Sequence, residues 1–164
     1  MANLANVDFY HGAVLSYLLT NNKEFSPSLF EDGNEKRVFH ITTNQHGEYM
    51  LRIHHSTCNK DVKDNAQSWT FSLTPNVVAH LQQNKKANIR NVIALIMIEP
   101  TCLTSSKIIY FTDSHLEKKG IYSDKPHQTG FTVRKYDDKN DYLLFLDKTE
   151  ENSVRVKSNL KLDY

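Results

Sequence analysis

Residues 68–100, SWTFSLTPNVVAHLQQNKKANIRNVIALIMIEP, change hydrophobic period twice. Trp69, Phe71 and Leu73 alternate with Ser68, Thr70 and Ser72, the period of two of a strand with one buried face. Thr74-Pro75 then reads as a helix N-cap and first helical residue: the threonine hydroxyl can accept from a first-turn N–H, and proline lacks a donor where a helix has no use for one. Val77, Val78 and Leu81 form one apolar stripe with His80, Gln82, Gln83 and Lys85 largely outside it, and Lys85 and Lys86 suit the negative C-terminal end. Val92 to Ile98 is apolar at every position, which a strand tolerates only when both faces are covered. The pattern therefore predicts strand, helix and a central, doubly covered strand.

Before this unit, apolar positions 10, 14, 17 and 18 recur at helical spacing, with Asp8 as a candidate cap and Thr20-Asn21-Asn22 as the end. Gly12 inside that helix costs about 1 kcal/mol relative to alanine, so close approach of another backbone is expected there. Leu29-Phe30, a turn at 31–34 and a strand from Arg37 to Thr43 predict a hairpin. Glu48 to His54 alternates again, with Tyr49, Leu51 and Ile53 on one face and Glu48, Met50, Arg52 and His54 on the other. It should pair antiparallel with the strand before it. Residues 58–67 lack either period and read as a surface loop. Lys107 to Thr112 predicts a strand, Asp113 or Ser114 starts a short helix through Lys119 that Gly120 ends, and 123–130 reads as a mobile loop. Phe131–Tyr136, Tyr142–Leu146 and Ser153–Val156 predict a C-terminal β-meander. The expected fold is α+β, a single domain over 1–164 with a mixed or antiparallel sheet and two main helices.

Composition narrows the classes. At 164 residues and 39% hydrophobic content, one core can form without disulfides or metal staples. Twenty basic and 19 acidic residues give a net charge of +1, which argues against a nucleic-acid-coating protein and leaves room for a local basic patch. Two widely separated cysteines, Cys58 and Cys102, predict free thiols. A first segment without a basic stretch and apolar core, and the lack of any run of about 20 apolar residues, predict a cytoplasmic protein.

The candidate functional residues are His11, Glu48, Arg52, His54, His55, Asp61 and Lys63. His11 is a candidate because histidine titrates near neutrality. His54, His55 and Cys58 offer zinc-ligand types, yet neighbours on a strand point to opposite faces, so one ion takes both histidines only if the strand ends at His55. No metal is expected there. Arg52, His54, His55, Lys60 and Lys63 make a basic segment able to touch a phosphate backbone, diluted by Asp61 and Asp64.

The order helix, three strands, helix, strand resembles restriction-endonuclease-like nucleases. That resemblance implies a divalent metal held by an acid on one strand and an acid-x-Lys on the next. The corresponding strand here reads Glu48-Tyr49-Met50-Leu51-Arg52 and lacks the motif. Asp61-Val62-Lys63 and Glu117-Lys118-Lys119 match its spacing in a loop and at a helix end, where solvated charge is the expected role. No nucleophile elbow and no Gly-rich phosphate loop occurs. FYHGAVLSYLL at 9–19, RIHHS at 52–56 and WTFSL at 69–73 together resemble an uncharacterised family of small bacterial proteins, in which the strand end carries Lys where this chain has Arg52. The expectation is a non-catalytic cytosolic binding or accessory protein working through a partner protein, without a cofactor. A bacterial defence or mobile-element setting follows from the resemblance alone. The alternative is a metal-dependent nuclease with nucleic acid as partner, and a small-molecule pocket under the helix is a third possibility.

Overall fold

The computed structural model describes residues 6–21, 25–32, 35–43, 47–61, 65–99, 105–126, 129–138, 140–147, 149 and 151–156; for 6–7, 25–32, 35–37 and 60–61 it describes the backbone. The elements run α1 (Asn6–Asn21), β1 (Phe25–Asp32), β2 (Glu35–Thr43), β3 (Gly47–Thr57), β4 (Asn59–Asp61), β5 (Ala66–Ser72), α2 (Pro75–Lys86), β6 (Arg90–Ile98), β7 (Lys107–Thr112), α3 (Asp113–Lys118), β8 (Gly130–Tyr136), β9 (Tyr142–Phe145) and β10 (Ser153–Val156). The class is α+β, as expected.

Among the described residues two five-stranded sheets form, in the orders β1-β2-β3-β6-β7 and β10-β9-β8-β5-β4. In the first, β6 lies parallel to β3, Leu51 facing Val92, and antiparallel to β7, Val92 facing Thr112. Its eight residues from Asn91 to Ile98 are all buried. Ile93, Leu95 and Met97 face the second sheet, α2 and α3, together with Trp69, Leu81, Phe111, Leu116 and Phe131. Val92, Ala94, Ile96 and Ile98 face α1 through Val14 and Leu18, alongside Phe39, Leu51 and Ile53. The uniformly apolar run is thus covered on both sides, and the layers are helix, mixed sheet, antiparallel sheet.

The predicted faces of β3 hold, with Tyr49, Leu51 and Ile53 buried toward α1, and β2 pairs with it antiparallel. Thr74 accepts from Val77 N–H at 3.4 Å and Pro75 opens α2 as predicted. The C-terminal meander is present as β8-β9-β10. What periodicity could not give is that β5 and β6, consecutive around α2, belong to different sheets. The chain first changes sheet between β3 and β4, and the end of β3 is tied to β5 where Ser56 Oγ donates to Thr70 O at 2.9 Å and accepts from Thr70 N–H at 3.0 Å.

Three expectations need correction. Residues 58–67 are not all loop: β4 pairs antiparallel with β5, Asp61 opposite Ala66, around Asn65 in the left-handed region at φ 46°. A short polar strand at a sheet edge carries no apolar alternation by which to recognise it. Asp8 lies in the first turn of α1, which begins at Asn6, and does not precede the helix. Gly12 has no close backbone neighbour among the described residues, where a Cβ would meet nothing within 4 Å. Gly12→Ala is accordingly expected to stabilise the fold by about 1 kcal/mol through helix propensity alone, read as a higher urea midpoint at unchanged m-value.

Candidate functional site

The sequence-predicted residues do not share a cleft. His11 sits on α1 with its ring edge-on to Phe39, centroids 6.0 Å apart. His54 stacks on Phe71 at 5.0 Å on the inner face of β3, while His55 meets Tyr10 at 5.3 Å on the outer face. The strand continues to Thr57, so the alternation that separates the two imidazoles is kept. Arg52 is buried beneath α2, its Nη2 3.4 Å from His80 Nδ1. Glu48 is exposed and lies 3.3 Å from His40 Nε2. Asp61 has the β4 backbone position given above, and Lys63 lies outside the described residues. No group of three or more His, Cys, Asp or Glu side chains able to hold a metal occurs among the described residues. The acid-x-Lys match at Glu117-Lys118-Lys119 is not solvated charge throughout. Lys119 is buried, and its Nζ donates to the carbonyl oxygens of Phe145 (3.2 Å) and Leu146 (2.6 Å), tying α3 to the end of β9.

The structure instead forms a cleft of about 320 Å³ where α2 ends, β6 begins and β7 passes into α3. Lys85, Asn88, Arg90, Asn91, Asp113 and Ser114 line it with Tyr49. Its floor is a closed polar network. Asn91, 1% exposed, donates from its backbone N–H to Asp113 Oδ2 at 3.1 Å, and its Nδ2 reaches Leu81 O at 2.9 Å and Tyr122 Oη at 3.0 Å. Asn91 Oδ1 accepts from Asn84 at 2.9 Å, and the Tyr122 hydroxyl donates to Asp113 Oδ1. A buried amide is costly unless its bonds are made, and here they are supplied by Leu81 and Asn84 of α2, Asp113 of α3 and Tyr122 in the segment after α3. Gln82 Nε2 adds bonds to Ile121 O (3.0 Å) and Ser123 O (2.9 Å), which hold the segment bearing Tyr122 beside α2.

The rim has a different character. Arg90 Nη1 donates to Tyr49 Oη at 2.8 Å, with the guanidinium 5.4 Å from the Tyr49 ring centroid. Lys85 Nζ stands 5.3 Å from the Tyr122 centroid. Ring quadrupoles steady both cations without consuming a charge. Sequence reading placed Lys85 and Asp113 only as helix-end residues. The missed signals were a polar Asn91 opening an apolar run and Asn88, held at φ 60° after the helix.

Burial, then the hydrogen bond to Asp113, raises the Tyr122 pKa, and burial followed by Tyr17 raises that of Tyr110. Both start from 10.0, so above that pH the unfolded chain releases protons that the folded chain keeps. Their stabilising contribution is complete below pH 10.0 and falls as pH rises, by about 1.4 kcal/mol per pH unit for each retained proton. Lys119 has the opposite sign: burial lowers its pKa from 10.5, so its share of stability rises with pH up to that value. The urea midpoint should therefore drop steeply between about pH 10.5 and 11.5, and Tyr122→Phe should flatten that drop.

No family model matches the chain, and no curated protein and no solved structure matches it. No helix of the described residues is long and apolar enough to cross a membrane.

Proposed function

We propose that this chain is a non-catalytic binding or accessory protein that acts in the cytosol through contacts with a partner protein. The observation that carries this reading is the division of labour in the cleft. Its carboxylate, Asp113, is committed to Tyr122 and Asn91, so its oxygens hold the fold together and are poorly placed to accept a substrate proton or bind an ion. The two rim cations are presented to whatever enters. Such an arrangement can grip a ligand and offers little to transform it. The resemblance of the FYHGAVL and RIHHS segments to a family of small bacterial proteins supports placing it in a bacterial defence or mobile-element system. Native pull-down with mass spectrometry tests the reading: a stoichiometric protein partner is expected, and a monomer that retains none overturns it.

The metal-dependent nuclease is a second reading, favoured by one observation: α1, β1 to β3, α2 and β6 follow in the order on which that resemblance rests, although β4 and β5 intervene before α2. Against it, β3 offers Glu48-Tyr49-Met50 where an acid-x-Lys would stand, and Glu48 is turned to His40. Incubation with plasmid and Mg²⁺ or Mn²⁺ should leave the DNA intact. Cleavage that Glu48→Ala or Asp61→Ala abolishes, with the fold unchanged, would establish the nuclease instead.

A further inference from the structure

We infer, resting on the binding reading above, that the cleft between α2, β6 and α3 receives a carboxylate from an acidic segment of the partner protein, gripped by Arg90 and Lys85. Among the described residues neither cation forms an ion pair. Each is steadied by an aromatic ring, a contact that fixes the side chain and leaves N–H donors unspent. In Arg90 the bond to Tyr49 occupies Nη1 and leaves the Nε–Nη2 edge, the pair of parallel donors that matches two carboxylate oxygens. Lys85, exposed at the end of α2, adds a second charge from the facing wall.

Charge balance selects the class of anion. Lys85 and Arg90 against Asp113 leave one net positive charge in the lining, which a single carboxylate neutralises. A phosphate monoester, at about −1.5 to −2, would bring surplus negative charge against Asp113. Size selects how it is presented. A cleft of about 320 Å³ is at the small end of the roughly 300–1,000 Å³ range of ligand pockets, which suits one inserted side chain or chain terminus with its adjoining backbone. Asn88 and Ser114, both exposed on the lining, face the backbone of the entering segment.

The test is an NMR titration of the full chain with three probes: a capped tri-glutamate peptide, its tri-glutamine counterpart and inorganic phosphate. The expected result is amide shifts centred on Asn88, Ile89 and Ser114 and a shift of the Arg90 Nε–H with tri-glutamate, and a response to tri-glutamine weaker by about tenfold or more, the loss of a charge-assisted bond. Lys85→Gln, at an exposed position, should weaken tri-glutamate binding by about tenfold while lowering Tm only slightly, through the lost helix-end charge and ring contact. Arg90→Lys, which keeps the charge and removes the fork, should do the same. Equal responses to the two peptides, shifts centred elsewhere, or unchanged affinity in both variants would overturn the carboxylate site, and a tighter response to phosphate would replace carboxylate with phosphate. The two levels separate cleanly. A partner retained equally by wild type and the Lys85→Gln/Arg90→Lys variant removes the inference and leaves the binding reading, whereas tri-glutamate binding in a chain that retains no partner does the reverse.

Discussion

Ile96→Asp is expected to abolish folding. Ile96 is 4% exposed on the α1 face of β6, opposite His55 on β3 and Ile108 on β7, among Ala94, Ile98 and Ile53. The side chains packed around it are largely aliphatic, and the His55 imidazole opposite is turned to Tyr10. An ionised carboxylate there loses most of its hydration, and even after relaxation such a charge costs several kcal/mol. Removal of the isoleucine side chain adds a loss of about 2–5 kcal/mol. The sum reaches into the roughly 5–15 kcal/mol that a domain of this kind holds in reserve. A flat urea profile and collapsed amide dispersion are expected. A soluble Ile96→Asp protein with a cooperative transition would show that β6 is not sealed on its α1 side.

Phe131→Ala should be the most damaging substitution on the other side of β6, at about 3–5 kcal/mol. Phe131 comes from β8 in the antiparallel sheet and is fully buried against Phe71 of β5 (4.8 Å, stacked) and Phe111 of β7 (5.6 Å). Phe111 belongs to the mixed sheet, so this aromatic triad is where the two sheets interlock. Truncation leaves a cavity spanning both layers, and a void between sheets cannot be closed by moving one side chain. The lowered urea midpoint should come with an unchanged m-value. Phe131→Leu should lose less than half as much, because it returns most of the volume.

How much of this was visible in the sequence depended on whether each feature leaves a local trace. Burial on both faces of β6 did, because seven consecutive apolar residues admit few other placements; so did the start of α2, where Thr74 and Pro75 each carry a specific backbone role. The faces of β3 did too, since alternation fixes them regardless of partner. Sheet membership did not: Trp69 and Phe71 would alternate identically beside β6 or across from it. The β4 strand was hidden because three polar residues at an edge show no period. Gly12 misled for the opposite reason, as a glycine within a helix signals close packing and none occurs. The cleft was least legible of all. Lys85, Arg90, Asn91 and Asp113 come from three elements, and each has an adequate local explanation as a helix-end charge, a strand-start polar residue or a first-turn acid. Only the parallel placement of β6 beside β3 and the turn of β7 into α3 bring them to one lining. His54 and His55 show the converse, adjacent in sequence and held on opposite faces of one strand.

The most direct measurement is native purification of wild type beside the Lys85→Gln/Arg90→Lys variant at matched Tm, with retained proteins quantified by mass spectrometry. One partner held stoichiometrically by wild type and largely lost from the variant is the predicted outcome. A wild-type chain that elutes alone, or a partner held equally by both, contradicts binding through this cleft.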